Sequence, residues 1–304
     1  MKISREKLSI LIIFIFALLL PLLISEYWLY VIAIAYYYGV LASTWNLLAG
    51  YAGQFSFGHA AFASIGAYTS ALLVLNIGIP IPLAMLSGAL MSMILSTLIG
   101  VMSLRLRGPY LALSTLAFSE ILRIVLVVNY KYTRGDLGLS TPPLLPGVVS
   151  VIPYYYVALL ILVITLITLR WLINQPLGLF LQAIRENEDA AQALGVNTNK
   201  YKIIAFAVSC FFAGLAGGFY AHFIQLVSPH IGALHEMTLI IAMTVLGGMG
   251  TLWGPIIGAI ILRIASEYLR EYGMYHAVIF AALIVVMMRF ARRGIYGLIY
   301  GKIR

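Results

Sequence analysis

Charge is scarce in this chain: Asp, Glu, Lys and Arg make up 10% of its 304 residues, against roughly 25% in soluble domains. That shortage excludes an ordinary water-soluble globule. Cysteine is nearly absent. Cys210 is the one example and lies in an apolar stretch, which rules out an intrachain disulfide or a thiolate metal site and leaves a small buried or lipid-facing side chain. Ten-residue segments of alternating polarity are missing, so a membrane β-barrel is excluded. No phosphate-binding loop is present, since Gly301-Lys302 lacks both the upstream glycine and a following Ser or Thr. His235-Glu236 has no second histidine four residues on, so the zinc-helix pattern fails as well. No cofactor and no metal are expected, and any nucleotide hydrolysis must happen elsewhere.

What is there is hydrophobic: 62% of the residues. Apolar stretches long enough to cross a hydrocarbon core of about 30 Å recur along the chain. The pattern predicts full spans near 8–25, 30–49, 83–104, 109–129, 151–173, 203–226 and 275–291. Three further segments read as less regular: 54–76, rich in Gly, Ser and Ala; 237–250, ending in Gly247-Gly248-Met249-Gly250; and 253–269, opening on Trp253-Gly254-Pro255. The fold class expected is an all-α polytopic membrane protein with about ten membrane segments, some short or broken, and both termini cytoplasmic. The first apolar run follows Lys2, Arg5 and Lys7 as a signal peptide would. Leu23 to Trp28 makes a poor cleavage site, so it is read as a retained span.

Basic residues set the orientation. With ten crossings, Lys2, Arg5, Lys7, Arg105, Arg107, Arg170, Arg185, Lys200, Lys202, Arg289, Arg292, Arg293, Lys302 and Arg304 all fall on the side of the termini. The loop 129–150 puts only Lys131 and Arg134 on the other side, and 228–236 adds no Lys or Arg. Most of the net +9 charge then faces anionic membrane lipid. Nucleic acid is not the expected partner. Residues 1–304 read as a single transmembrane domain with a polar cytoplasmic loop at about 174–202.

That loop holds a polar island, Gln182 to Gly195, in an otherwise apolar chain. Asn187 can cap a helix, Glu188 and Asp189 suit its first turn, and Gly195 can close it in a left-handed conformation. Ala190, Ala193 and Leu194 would share one face. Two turns are too short to stand alone in water, so the segment is either a docking helix or an ordinary solvated loop.

Three polar constellations lie at membrane depth. In Leu47 to Tyr68, the glycines Gly50, Gly53 and Gly58 permit bends or close contact, and Gln54, Ser56 and His59 supply polar groups. A broken helix lining a pathway and a packed helix junction both fit, the junction better. Glu120 and Arg123 sit three apart on one helix and can pair, either beside a pathway or locking two helices. Arg263 and Glu267 form a similar set. Gly247, Gly248 and Gly250 precede Gly254-Pro255, as a membrane-interior helix break or a tight turn at the surface. Gly50 to Phe55 weakly echoes Gly214 to Phe219.

Together these stretches resemble the permeases of branched-chain amino-acid ABC importers, the LivM type. The likeness rests on Gly50-Tyr51-Ala52-Gly53-Gln54-Phe55-Ser56-Phe57-Gly58-His59 and on Leu104 to Leu113 with Thr115 to Arg123. It continues through Ala183 to Gly195 with Tyr201-Lys202, then Ala213 to Gly217, Gly247 to Thr251 and Gly254-Pro255. The matches run in order over nearly the whole chain. The resemblance implies a permease subunit, not an enzyme, working with a paired homologous permease, two cytoplasmic ATPase subunits and an extracytoplasmic solute-binding protein. It implies that Arg185, Glu186, Glu188, Asp189, Ala190, Ala191 and Gly195 belong to the ATPase-coupling loop. Gly53, Gln54, Ser56, Gly58, His59, Glu120, Arg123, Gly247, Gly248 and Gly250 are the candidates for pathway or gating. Asp189 intervenes in the general Glu-Ala-Ala pattern, and Pro109 stands where an acidic residue is common. Urea, amide or sugar import is the alternative, with an ion-coupled secondary transporter behind it.

Overall fold

The structure, a computed structural model, describes residues 14–106, 108–275, 278–279, 281–282 and 294–300. Helix follows helix: α1 (Glu26–Asn46), running into a π-helical turn (Leu47–Tyr51), α2 (His59–Ile77), α3 (Ile81–Ser103), α4 (Pro109–Val128) and α5 (Ile152–Asn174). Then come α6 (Pro176–Glu186), α7 (Glu188–Ala193), α8 (Thr198–Ile224), α9 (Leu234–Gly248), α10 (Gly254–Leu269) and α11 (Gly294–Tyr300). Among the described residues, α1 with its π turn, α2, α3, α4, α5 and α8 are long and apolar enough to cross a membrane. The chain is an all-α polytopic membrane protein.

Five of the expected full spans fall on α1, α3, α4, α5 and α8 within a few residues. The segment 54–76 is irregular only over 54–58, where no helix forms; from His59 on the expectation is corrected, since α2 is a continuous helix of 19 residues. Its small residues do not break it; they let neighbours approach. A Cβ on Gly66 would overlap the Gly214 backbone of α8. The expected span 8–25 is described only from residue 14, with helix over 14–19 and a 3-10 turn at Leu20–Leu22. Most of 275–291 lies outside the described residues, as do Lys2, Arg5, Lys7, Arg107, Arg289, Arg292, Arg293, Lys302 and Arg304. The echo between Gly50 and Gly214 is not structural, since one stretch begins in the π turn and the other sits inside α8.

α1 is the central post, 94% buried over its apolar window, with α5, α8, α9 and α10 around it. Lipid tails give no hydrophobic reason for helices to associate, so close packing of small residues and interhelical hydrogen bonds must hold them. Both are present. A Cβ on Gly217 would overlap the Ala63 carbonyl. Ser209 Oγ donates to the Thr44 carbonyl at 2.5 Å, Ser92 Oγ to Phe62 O at 2.8 Å and Thr244 Oγ1 to Ala42 O at 3.2 Å. At one end of α10, Glu267 accepts from Tyr27, Arg263 and Arg270 at 2.5, 3.2 and 3.3 Å. The sequence-predicted Arg263–Glu267 pair thus belongs to a lock between α10 and α1.

The loop 129–150 is pinned at that same end. Leu139 and Ser140 pair antiparallel with Val227 and Leu226, and Thr141 Oγ1 donates to Ala221 O at 2.7 Å. At the opposite end, α6 and α7 emerge beside the π turn and the α9–α10 turn.

Candidate functional site

The polar island forms the helix its sequence predicts. Asn187 leaves helical geometry at φ −158°, ψ 108°, and its side chain accepts from the Ala190 amide at 3.0 Å. That satisfies one of the orphan donors of a helix start. Gly195 takes φ +87°, and Val196 N bonds back to Ala191 O at 3.0 Å, closing the helix with a left-handed residue. Glu188 is turned inward, where Lys202 Nζ meets it at 2.6 Å. Thr198 Oγ1 also donates to it, at 3.3 Å, and Gln192 Nε2 donates to Thr198 at 2.8 Å. The Lys202 side chain is 1% exposed, so it is not one of the lipid-facing charges that positive-side counting assigned it to. Removing one partner of such a pair typically costs about 3–5 kcal/mol, so α7 is held firmly on α8.

The anchoring divides the candidate coupling residues. Glu188 and Ala191 face the permease, Ala191 being 3% exposed. Asp189, Ala190, Gln192, Ala193 and Leu194 face outward. Leu194 is 86% exposed, although it lies on the polar loop rather than on a membrane-spanning helix. The outward face of α7 thus combines the exposed Leu194 with the small side chains of Ala190 and Ala193. Glu186 is exposed, and Gly195 only turns the chain.

Arg185 reaches back toward the bundle. Its Nη1 donates to the Gly50 carbonyl at 2.8 Å, and its Nη2 to Glu186 at 2.8 Å. Gly50 ends α1 in the π turn, and Gly53 beyond it takes φ +67° with the Arg185 stem against it. Gln54, Ser56 and His59 are buried. Gln54 donates to Ala52 O at 3.2 Å, Ser56 Oγ accepts from Gly58 N at 3.2 Å, and His59 Nε2 lies 2.9 Å from Thr44 Oγ1. Gly58 has an ordinary φ of −89°. These contacts are those of a helix junction. The Gly247–Gly254 stretch is likewise a turn between helices. Gly248 and Gly250 take φ +126° and +79°, and Gly247 backs directly on the Gly254 carbonyl.

Glu120 and Arg123 lie apart from this cluster. They pair at 2.5 Å on α4 with side chains 49% and 30% exposed, and α4 is only 17% buried over its window. The pair closes on its own helix, so locking two helices is not its role in this chain. The opposite face of α4 makes the bonds to the rest of the bundle, with Thr115 Oγ1 accepting from Phe57 N in the loop before α2 at 2.9 Å and Ser119 Oγ donating to Gly232 O in the turn before α9 at 3.1 Å.

The family described as "Branched-chain amino acid transport system / permease component" matches residues 27–290. The chain belongs to this family. It is 32% identical to the high-affinity branched-chain amino acid transport system permease LivM of Escherichia coli, over 96% of this chain and 75% of that protein. A probable LivM of Methanocaldococcus jannaschii is 26% identical over 66% of this chain and 59% of that protein. The ribose import permease RbsC of Haemophilus influenzae is 32% identical over 38% of each. No solved structure matches. The permease is thus a multi-pass protein of the cell membrane and the translocating component of an ABC import system, a transport subunit and not itself an enzyme.

Sequence reasoning missed one residue that organises the permease's junction. Asn46 is 2% exposed. It accepts from Gly250 N at 2.8 Å and donates to Thr251 O at 2.7 Å. A lone amide near the end of an apolar span was the available signal, because such groups find partners inside the bundle.

Proposed function

We propose that this permease carries branched-chain amino acids inward as the membrane part of an ATP-driven, binding-protein-dependent importer. One observation carries the reading: a capped, firmly anchored helix presents Ala190, Ala193 and Leu194 outward from the end of an apolar bundle. A transporter energised by its own ion gradient has no use for such a face. Residues 1–304 act as one permease domain with ten crossings and both termini cytoplasmic, and the loop at 174–202 is the ATPase-coupling loop. One of the two cytoplasmic ATPase subunits docks there, and the other on the paired permease. ATP-driven closure of those subunits tilts α6 and α7 and biases the pathway between inward-open and outward-open states.

The paired permease covers the exposed face of α4. Glu120 is the twelfth residue of that 20-residue helix, so it lies about 17 Å along the axis, near mid-membrane. Ionised groups there normally face protein or a water-filled path rather than lipid, which supports Glu120 and Arg123 as pathway residues. Gly53, Gln54, Ser56, Gly58, His59, Gly247, Gly248 and Gly250 act in this reading as the hinge and packing elements that let the pathway change shape. The solute-binding protein meets the pinned outer loop, where Lys131 and Arg134 line a shallow hollow with Tyr130 and Leu137. The ribose relative supports a second reading, sugar import, over the part of the chain it covers.

The test is leucine uptake into proteoliposomes holding the permease, its partner permease, the ATPases and the binding protein. Valine, isoleucine, urea and ribose serve as competitors. Uptake that needs ATP and is blocked by valine and isoleucine is expected. Competition by ribose or urea alone would overturn the solute while keeping the architecture.

A further inference from the structure

Two polar side chains join three separate chain segments where α6 leaves the bundle. Arg185, on α6, donates to the Gly50 carbonyl at 2.8 Å. Asn46, one turn before Gly50 on α1, accepts from Gly250 N at 2.8 Å and donates to Thr251 O at 2.7 Å. The two contacts are contiguous. A Cβ on Gly50 would come within 2.6 Å of Gly250 N, and one on Gly250 within 3.5 Å of both Arg185 Nη1 and Gly50 O. The backbones of the π turn and the α9–α10 turn therefore touch at Gly50 and Gly250, and the end of α6, which leads directly into the docking helix α7, joins them through the Arg185 side chain.

The backbone at this point is the kind that changes shape. α1 ends there in a π turn, an element concentrated at functional sites. Gly53, Gly248 and Gly250 hold positive φ, which glycine adopts without strain. Arginine suits the connection because its planar fork holds Glu186 and Gly50 at once in a fixed geometry. Among the described residues, α6 and α7 are also tied to the bundle by their covalent links to α5 and α8, by packing against those helices and the π turn, by the Arg185 stem against Gly53, and by the Glu188–Lys202 pair on α8. The Arg185 and Asn46 bonds are the contacts that lead on to the α9–α10 turn.

We infer that Arg185 and Asn46 are the link that carries movement of the ATPase-docking helix to α1 and to the α9–α10 hairpin. They are positioning residues acting through Gly50 and Gly250. The inference rests on the ATP-coupling reading above, and it adds the route by which the movement enters the membrane.

The test measures solute moved per ATP hydrolysed in the assembled complex, together with retention of the ATPase subunits on purification. Arg185→Ala should keep the ATPase subunits bound while solute per ATP falls at least about tenfold, a usual size for coupling between sites. Arg185→Lys keeps a donor for the Gly50 carbonyl but loses the fork that also holds Glu186, so it should recover only part of that loss. Asn46→Ala should uncouple as Arg185→Ala does, and the double variant should be no worse than the poorer single one, because residues in one network do not add. Wild-type solute per ATP in Arg185→Ala would overturn the link. So would loss of ATPase binding in that variant, which would assign Arg185 to the docking contact. Absence of ATP-dependent uptake in the wild-type complex would bring down the underlying reading instead.

Discussion

Replacing Ala190 by arginine is expected to detach the ATPase subunits while leaving the permease folded. Ala190 lies on the outward face of α7, whose Asn187 cap accepts from the Ala190 backbone amide; that bond survives any side chain. Ala190 is exposed, so a long charged side chain there can extend into solvent, where it fills the space that a partner must occupy. Central residues of an interface carry about 2–4 kcal/mol each, so ATPase affinity should fall by roughly 30- to 1,000-fold and ATP-driven uptake with it. Ala193→Arg should behave alike. Ala191→Arg should not: that side chain is 3% exposed, and a charge there should dislodge α7 itself. Capture of the ATPase subunits on immobilised permease, with size-exclusion of the permease alone, separates the two effects. Normal capture by both Ala190→Arg and Ala193→Arg would remove α7 as the docking face.

Gly217→Val is expected to be the most damaging change of stability. Its new Cβ would run into the Ala63 carbonyl of α2, and backbone cannot swing aside as a flexible side chain can. Overpacking costs about 1–3 kcal/mol where side chains can shift, so about 3 kcal/mol or more is expected here, with loss of folded permease from the membrane. Gly39→Ala provides the contrast. A Cβ there meets Leu162 Cδ1 at 3.5 Å, an ordinary contact, and should cost less than about 1 kcal/mol. Thermal unfolding in detergent followed by size-exclusion measures both. Equal stability of the two variants would show that the close approach of α8 to α2 does not hold the bundle together.

Apolar length made the helices legible, because a span needs about 20 residues whatever it packs against. The helix α7 was legible for a different reason: Asn187, the two acids after it and Gly195 are local signals that act within their own turn. Packing was not legible. The Gly- and Ala-rich run 54–76 reads as irregular when glycine is weighed as a breaker, yet Gly66 serves an interhelical contact with Gly214 inside a regular helix. The orientation of α7 was also hidden. Spacing puts Ala190 with Ala193 and Leu194 on one face, but only the anchoring of Glu188 on Lys202 decides that this face points outward and that Ala191 is buried. Asn46 and Arg185 were hardest to read as a pair, because 139 positions separate them and nothing local tells either where its partner lies.

The central claim is that energy enters this permease through the outward face of α7. The most direct measurement places a photo-crosslinker at Ala193 in the assembled complex, with and without ATP, and a second at Leu98, an exposed residue of α3. Crosslinks from position 193 to the ATPase subunit, altered in yield by ATP and absent from position 98, are the result this account predicts. Equal labelling from both positions, or none from 193 in a complex that transports, would contradict it.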